Sequence, residues 1–202
     1  SEFSPPCRRG STIILDISSN SPPYAAEFPL PVKKVVGRLD IVRGFFDDAG
    51  GLKPPATEAQ LIDGFAWACE FGRISVIEFM LEHGVNVDTK LKGGEIGLHW
   101  AAYEGHVDAV RLLLARGARV DLADDTHGGT PLGWALYGWG NTRPREREHR
   151  SYYETAALLV RAGATVDEHW FDGNIERERG AAKMRSDIRM MEALRGAVPG
   201  DG

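Results

Sequence analysis

Two cysteines are all that the 202-residue sequence contains, and long apolar runs are missing altogether. Cys7 lies in a proline-rich segment and Cys69 in an apolar one, so we expect no disulfide framework and a reducing, cytoplasmic location. A membrane span requires ~20 apolar residues, and we expect no membrane association. The stretch STIILDISS is too short and too polar for a secretory signal.

Basic charge is also scarce. The chain has 24 Lys and Arg against 29 Asp and Glu, which gives a net charge of −5. A general nucleic-acid binder would need a surplus of cations, so we expect no nucleic-acid partner. Because 43% of the residues are apolar, the chain can form one or two packed domains.

Patterns that support catalysis are absent as well. The six histidines are not spaced as H-x-x-x-H, and neither cysteine is part of C-x-x-C. The glycine-rich stretches KGGEIG and HGGTPLG lack the Lys-Ser/Thr that completes a phosphate-binding loop. The sequence therefore predicts no enzyme, no cofactor and no metal.

An internal repeat is the most informative feature that is present. Residues 98–121 read LHWAAYEGHVDAVRLLLARGARVD, and residues 65–88, 33 positions earlier, read FAWACEFGRISVIEFMLEHGVNVD. Apolar residues fall at helical spacing, with a glycine between the two stripes and another after them. Each copy is thus predicted to be two short antiparallel helices that bury their apolar faces only by stacking on the next copy.

Several motifs recur in this register: TPLGWA (130–135), LHWAAYEGH (98–106), LLLARGA (112–118) and LLVRAGA (158–164). With them the chain resembles the ankyrin-repeat family. The resemblance implies an all-α solenoid of about four helix-turn-helix repeats with a short helical C-terminal cap. It also implies a non-catalytic module that binds a protein partner through its concave helix face and turn tips.

The predicted organisation has three parts: an extended segment (1–27) that begins with a cloning remnant (1–3), the repeats (28–170) and a helical cap and tail (171–202). The repeats divide into a degenerate copy (28–50) and three clear ones (57–90, 91–124 and 125–170), the last with an insertion at 140–151. That insertion is a protruding loop or a helix extension. Its run RPREREHR is either a solvated loop or a docking element for an acidic surface.

Local signals mark helix ends. Thr57 followed by Gln60 predicts a capping box and a helix that starts near Glu58. Asp187 is a predicted N-cap and Gly196 a predicted C-terminal stop. Between them, an apolar stripe of Ile188, Met191 and Leu194 is expected to close the stack.

Aromatic residues recur in the first helix of each copy. Trp67, Trp100 and Trp134 precede the motif alanine, where they are either buried between helices or form an aromatic floor. The residues that follow the motif alanines, among them Tyr103 and Glu104, are expected to point into the groove, although Phe71 and Tyr137 could instead pack on neighbouring side chains. We expect a monomer that binds a basic or aromatic segment of a partner through Glu70, Phe71, Trp100, Tyr103, Glu104, Trp134, Tyr137 and Trp139.

An alternative from a different class is a small-molecule-binding or enzymatic function in a Trp/His-lined groove near the insertion. A deep pocket ringed by His99, Trp134 and Trp139 would favour it, whereas an open groove would favour protein binding. His99 is expected instead to tie its turn to neighbouring backbone, and Cys69 to be a small buried apolar residue. A third interpretation is a fragment that regulates another domain.

Overall fold

The computed structural model describes residues 38–54, 56–142, 151–166 and 178–196. Over these ranges the regular structure is helical, apart from an isolated antiparallel bridge between Phe46 and Leu52. The helices are α1 (Leu39–Arg43), α2 (Glu58–Glu70), α3 (Ile74–Glu82), α4 (Gly97–Glu104), α5 (Val107–Ala115), α6 (Pro131–Asn141), α7 (Tyr152–Arg161), α8 (Glu178–Ser186) and α9 (Ile188–Ala193). Not one of them is long and apolar enough to cross a membrane.

The helices stack in two rows. In the inner row, α4 packs between α2 and α6, and in the outer row α1, α3, α5 and α7 follow one another. Each inner helix packs on the outer helix that follows it in sequence, and α9 and α8 cover the last repeat. The all-α solenoid and its helical cap are thereby confirmed. Residues 28–37 of the degenerate copy and the predicted extended segment 1–27 lie outside the described part of the chain.

Helix starts follow the local signals. The Thr57 side chain accepts a hydrogen bond from the Gln60 N–H, and the Gln60 side chain accepts one from the Thr57 N–H, which confirms the capping box at α2. At α9 the Asp187 carboxylate accepts the Met190 N–H at 3.1 Å. Caps of this kind stabilise a helix by about 1 kcal/mol.

Glycines turn the chain between the helices of the copies 57–90 and 91–124, and after the outer helix of all three clear copies. Gly72 and Gly105 separate inner from outer helices with φ of 60° and 69°, and Gly84, Gly117 and Gly163 follow the outer helices with φ of 90°, 84° and 98°. A β-carbon destabilises this left-handed conformation, so glycine is the residue that fits.

The core runs along the contact between the two rows. Side chains from successive repeats that are fully buried include Ile77, Leu113 and Leu159. Motif alanines such as Ala101 and Ala135 are also buried, and their small size lets the inner helices pack closely. No repeat contains a complete core, so burial depends on stacking.

Neighbouring repeats are also joined turn to turn. Asp88 accepts hydrogen bonds from the N–H and the guanidinium of Arg119, at 2.9 and 3.0 Å. At the equivalent position of the next copy, Asp121 accepts hydrogen bonds from the N–H of Thr165 at 3.0 Å and from its hydroxyl at 2.6 Å. These side-chain to backbone bonds therefore reach from each turn to the following repeat.

The predicted apolar stripe of the cap is wrong at Ile188, which is 71% exposed. Leu194 of that stripe is buried and Met191 is half-buried, and Met190 and Ala193 are buried with Leu194. Residues two positions apart in an α-helix project about 200° apart, so the face that carries Met190 turns Ile188 towards solvent. The third copy departs from the repeat as expected, because α6 continues through Trp139 and ends at Asn141.

Candidate functional site

Two neighbouring inner helices bring four aromatic residues together. Trp100 and Tyr103 lie three positions apart on α4, and Trp134 and Tyr137 have the same spacing on α6. Side chains with this spacing share one helix face. Because each residue is partly exposed, the four form a two-by-two aromatic patch on the inner row.

The rings of the aromatic patch contact one another mainly edge to face. Trp100 and Trp134 meet across the two helices with centroids 5.2 Å apart and planes at 73°, and Tyr103 contacts Trp134 at 6.0 Å and 77°. Tyr103 and Tyr137 are stacked at 6.1 Å and 25°. These geometries are favourable for aromatic pairs and fix the rings relative to one another. The four rings therefore hold one another in place.

Asp124 anchors the patch and was missed in the sequence. It lies in the turn before α6, and its carboxylate accepts the indole N–H of Trp134 at 3.0 Å. Burial alone would raise the pKa of Asp124, but hydrogen bonds from the His127 backbone, Trp134 and the Gly129 backbone hold it below its usual value. The residue 33 positions earlier is Leu91, so no repetition singled Asp124 out.

Phe71 and Glu104 lie at the C-terminal ends of the inner helices α2 and α4. Phe71 is the C-cap of α2, half-buried and packed against the core, so its contribution to an exposed surface is limited. Glu104 is the last residue of α4, directly after Tyr103, and is also half-buried.

Trp139 and Glu70 do not lie where the sequence analysis placed them. Trp139 is 2% exposed, with the ammonium of Lys183 from α8 5.1 Å from its ring. It follows Tyr137 by two helical positions and thus points to the opposite side of α6. Glu70 is 6% exposed, since His106 of the next repeat packs over the end of α2 and donates to the Glu70 carbonyl oxygen at 2.9 Å. The expectation that both line the groove is wrong.

His99 has a structural role, as expected. Its Nδ1 accepts the Ile96 N–H at 3.1 Å, and its Nε2 lies 3.0 Å from the Gly129 carbonyl oxygen. A backbone N–H can only donate and a carbonyl can only accept, which defines a neutral ring with its proton on Nε2. Burial lowers the pKa of His99 and favours this neutral form.

The cavity that the described residues form does not match the small-molecule alternative. A cavity of about 230 Å³ lies beside Gly72, His106 and Ser151, and none of His99, Trp134 and Trp139 lines it. Ligand pockets usually measure about 300–1,000 Å³. Burial also raises the pKa of Cys69 and disfavours its thiolate, the nucleophilic form. Within the described ranges, no group of three or more His, Cys, Asp or Glu could hold a metal ion.

The charged residues of the inner helices are all acidic. The helices α2, α4 and α6 contain no lysine or arginine, but they contain Glu58, Asp63, Glu70 and Glu104. Neutral His99 adds no positive charge. The aromatic patch therefore lies in a row of helices whose formal charge is entirely negative.

Known proteins match the repeat region. A family model described as ankyrin repeats (3 copies) matches residues 65–168. Human palmitoyltransferase ZDHHC17 is 37% identical over 106 residues, which are 52% of this chain and 15% of that protein. The E3 ubiquitin-protein ligase hecd-1 of Caenorhabditis elegans is 36% identical over 46% of this chain and 3% of its own length. The sheep ankyrin repeat, SAM and basic leucine zipper domain-containing protein 1 is 36% identical over 41% and 18%.

Proposed function

The chain belongs to the ankyrin-repeat family, and from that premise we propose that it is a non-catalytic module that binds a protein segment carrying basic residues. Ankyrin repeats are generally protein-interaction modules. The observation that carries the proposal is the aromatic patch in a row of helices that has acidic residues and no lysine or arginine. The turn tips beside the row are a second contact region, and the protein acts in the cytoplasm as a monomer.

Aromatic side chains are suited to supply the affinity. Tyr and Trp contribute large contact areas at low cost in side-chain entropy, and they are enriched among the residues that dominate binding energy. An apolar or cationic side chain of the partner would pack on the exposed parts of Tyr103 and Tyr137, where a cation over a ring is attracted by about 0.5–2 kcal/mol.

The carboxylates are suited to select the partner. Glu104 lies next to Tyr103 at the end of α4 and repels an acidic segment while it attracts a basic one. Such charges mainly raise the association rate, and the effect weakens as salt is added. The negative inner row thus accounts for the choice of a basic segment.

The alignments cover too little of the relatives to carry their activities over to this chain. The alignments cover 15%, 3% and 18% of the palmitoyltransferase, the ubiquitin ligase and the leucine-zipper protein. The chain thus spans less than a fifth of the length of these relatives, and the residues that match are its repeats. Our proposal concerns the repeat region alone.

Selection from a library of short random peptides displayed on phage tests the proposal. We expect the selected peptides to be rich in Lys and Arg, with apolar residues between them. Tyr103→Ala and Tyr137→Ala should each weaken the binding of a synthetic selected peptide by more than about fivefold, or 1 kcal/mol. Circular dichroism of each variant checks that the fold is retained.

A matched pair of charge reversals tests selectivity. Glu104→Lys should slow association and reduce its dependence on salt, whereas Glu82→Lys, an exposed position on the outer helix α3, should change neither. Acidic selected peptides, or no selected peptide at all, would overturn the proposal. Binding that survives the double variant Tyr103→Ala/Tyr137→Ala would move the site elsewhere, with the arginine-rich segment 143–150 as the next candidate.

A further inference from the structure

A buried carboxylate connects the turn between α5 and α6 to the aromatic patch. The Asp124 side chain is 1% exposed. Its Oδ1 accepts the backbone N–H of Thr126 at 2.9 Å and of His127 at 2.6 Å, and its Oδ2 accepts the N–H of Gly129 at 2.8 Å and the indole N–H of Trp134 at 3.0 Å. The first three of these bonds are to backbone groups of the same turn, and the fourth is to the side chain of Trp134 on α6.

The bond to Trp134 is not needed to close the turn. Three backbone N–H groups already hold the carboxylate in place, which is a common arrangement for an aspartate in a turn. The indole belongs to α6, ten residues further along the chain, and its ring contacts Trp100 and Tyr103 of α4. A hydrogen bond to a charged acceptor is worth about twice a neutral one, so it holds the ring in one orientation.

Gly129 makes room for this bond. A β-carbon on Gly129 would lie 2.9 Å from the Asp124 Oδ2 and 2.9 Å from the Trp134 Nε1. The Gly129 carbonyl oxygen in turn accepts the Nε2–H of His99, whose ring meets Trp134 edge to face with centroids 5.4 Å apart. The Trp134 ring is thereby held by the hydrogen bond of its indole N–H and by its contact with the His99 ring.

We infer that Asp124 is a positioning residue of the aromatic patch, which fixes the Trp134 ring in the orientation that a partner segment contacts. The inference rests on the proposed function of the patch. A side chain that is already immobilised loses less conformational freedom when a partner binds, so the bond raises affinity without touching the partner. The turn between α5 and α6 thus contributes to binding through Trp134.

Two substitutions and their combination test the inference. Asp124→Asn removes the negative charge and replaces one acceptor oxygen with an NH₂ group, which leaves unmatched either the Gly129 and Trp134 donors or those of Thr126 and His127. Trp134→Phe keeps an aromatic ring but removes the N–H. Binding of the selected basic peptide should weaken about fivefold or more in Asp124→Asn, because a charged hydrogen bond that orders the site is lost.

Non-additivity separates positioning from a purely structural role. In the Trp134→Phe background, Asp124→Asn should leave peptide affinity nearly unchanged, since the bond is already gone. Asp124→Asn should lower the free energy of unfolding, measured by urea denaturation, both in the unmodified chain and in Trp134→Phe. The reason is that the backbone hydrogen bonds of the turn depend on the carboxylate. Asp121→Asn is the matched control, as it removes a carboxylate that binds Thr165 and should lower stability without changing affinity.

The indole N–H resonance of Trp134 gives a readout that is independent of any peptide. It is assigned in a ¹H–¹⁵N spectrum by its loss in Trp134→Phe. We expect Asp124→Asn to shift this resonance and to speed its exchange with water, and Asp121→Asn to leave it in place. An unshifted resonance, or equal weakening of peptide binding in both backgrounds, would overturn the inference. If no peptide binds the unmodified chain, the proposed function fails, and the resonance alone decides whether Asp124 positions the ring.

Discussion

Gly138 of α6 packs directly against the carbonyl oxygen of Tyr103 on α4, with no space for a β-carbon between the two helices. The obstacle is backbone, so rotation of a side chain does not relieve it. We therefore predict that Gly138→Ala destabilises the fold by about 1–3 kcal/mol, although alanine is the better helix former by up to about 1 kcal/mol. Urea denaturation followed by circular dichroism measures the change.

Gly140, two residues further along α6, provides the control. A β-carbon there would meet no atom within 4 Å. Gly140→Ala should therefore leave the free energy of unfolding unchanged or raise it by up to about 1 kcal/mol through helix propensity alone. Equal effects of the two substitutions would show that the α4–α6 contact is looser than described.

The second prediction concerns the stacked core. Leu113 of α5 is fully buried, and its neighbour Leu112 is half-buried. Leu113→Ala should lower the free energy of unfolding by about 2–5 kcal/mol through lost burial and the cavity that remains, and Leu112→Ala by less. A loss below about 1 kcal/mol at Leu113 would contradict the core register.

The third prediction follows from the neutral ring of His99. Burial lowers its pKa in the folded state below the value of about 6.5 expected in the unfolded chain, so the unfolded state binds the extra proton first. The stability that this residue contributes is complete above about pH 6.5 and is lost progressively as the pH falls from there towards the folded pKa. Urea denaturation between about pH 7.5 and 5 should show this decline.

His99→Gln isolates the contribution of this histidine. A glutamine amide can accept one hydrogen bond and donate another, but it does not titrate in this range. The variant should therefore lose less stability than the unmodified chain over the same pH interval, whatever its stability at neutral pH. Parallel pH profiles of the two proteins would argue against a neutral His99.

The fourth prediction concerns the insertion. The Thr142 hydroxyl donates to the Gly138 carbonyl oxygen at 2.7 Å and lies 2.9 Å from the Tyr152 hydroxyl, so the residues that flank 143–150 are joined directly. Replacing 143–150 by a Gly/Ser linker of equal length should change the free energy of unfolding by less than about 0.5 kcal/mol. A larger loss in thermal or urea denaturation would show that the native side chains of this segment support the fold.

Much of the fold is encoded locally and was predicted for that reason. The spacing of the copies, the turn glycines and the Thr57 cap each specify a local conformation. Helical spacing then places Trp100 with Tyr103 and Trp134 with Tyr137, because residues three positions apart share a face. Their proximity across two helices follows from the repeat.

The features that the sequence could not predict either depend on packing between repeats or occur in one copy only. Glu70 occupies the slot of Tyr103, and its burial results from His106 of the next repeat. Trp139 was placed in the groove with Tyr137, but it lies two positions further along α6, and the helix turns it inwards. Asp124 has no counterpart among the copies, so only the coordinates connect it to Trp134.

The aspartate bonds between turns have a consequence for how this scaffold tolerates change. Asp88 reaches Arg119 across 31 residues, and Asp121 makes the equivalent bond to Thr165 across 44. The longer separation spans the insertion, yet the same slot is used. The contact between neighbouring repeats is thus kept even where more residues connect the two helices of a repeat. The position after Thr142 is accordingly a suitable place to graft a reporter, an epitope or a second binding loop without resetting the register of the stack.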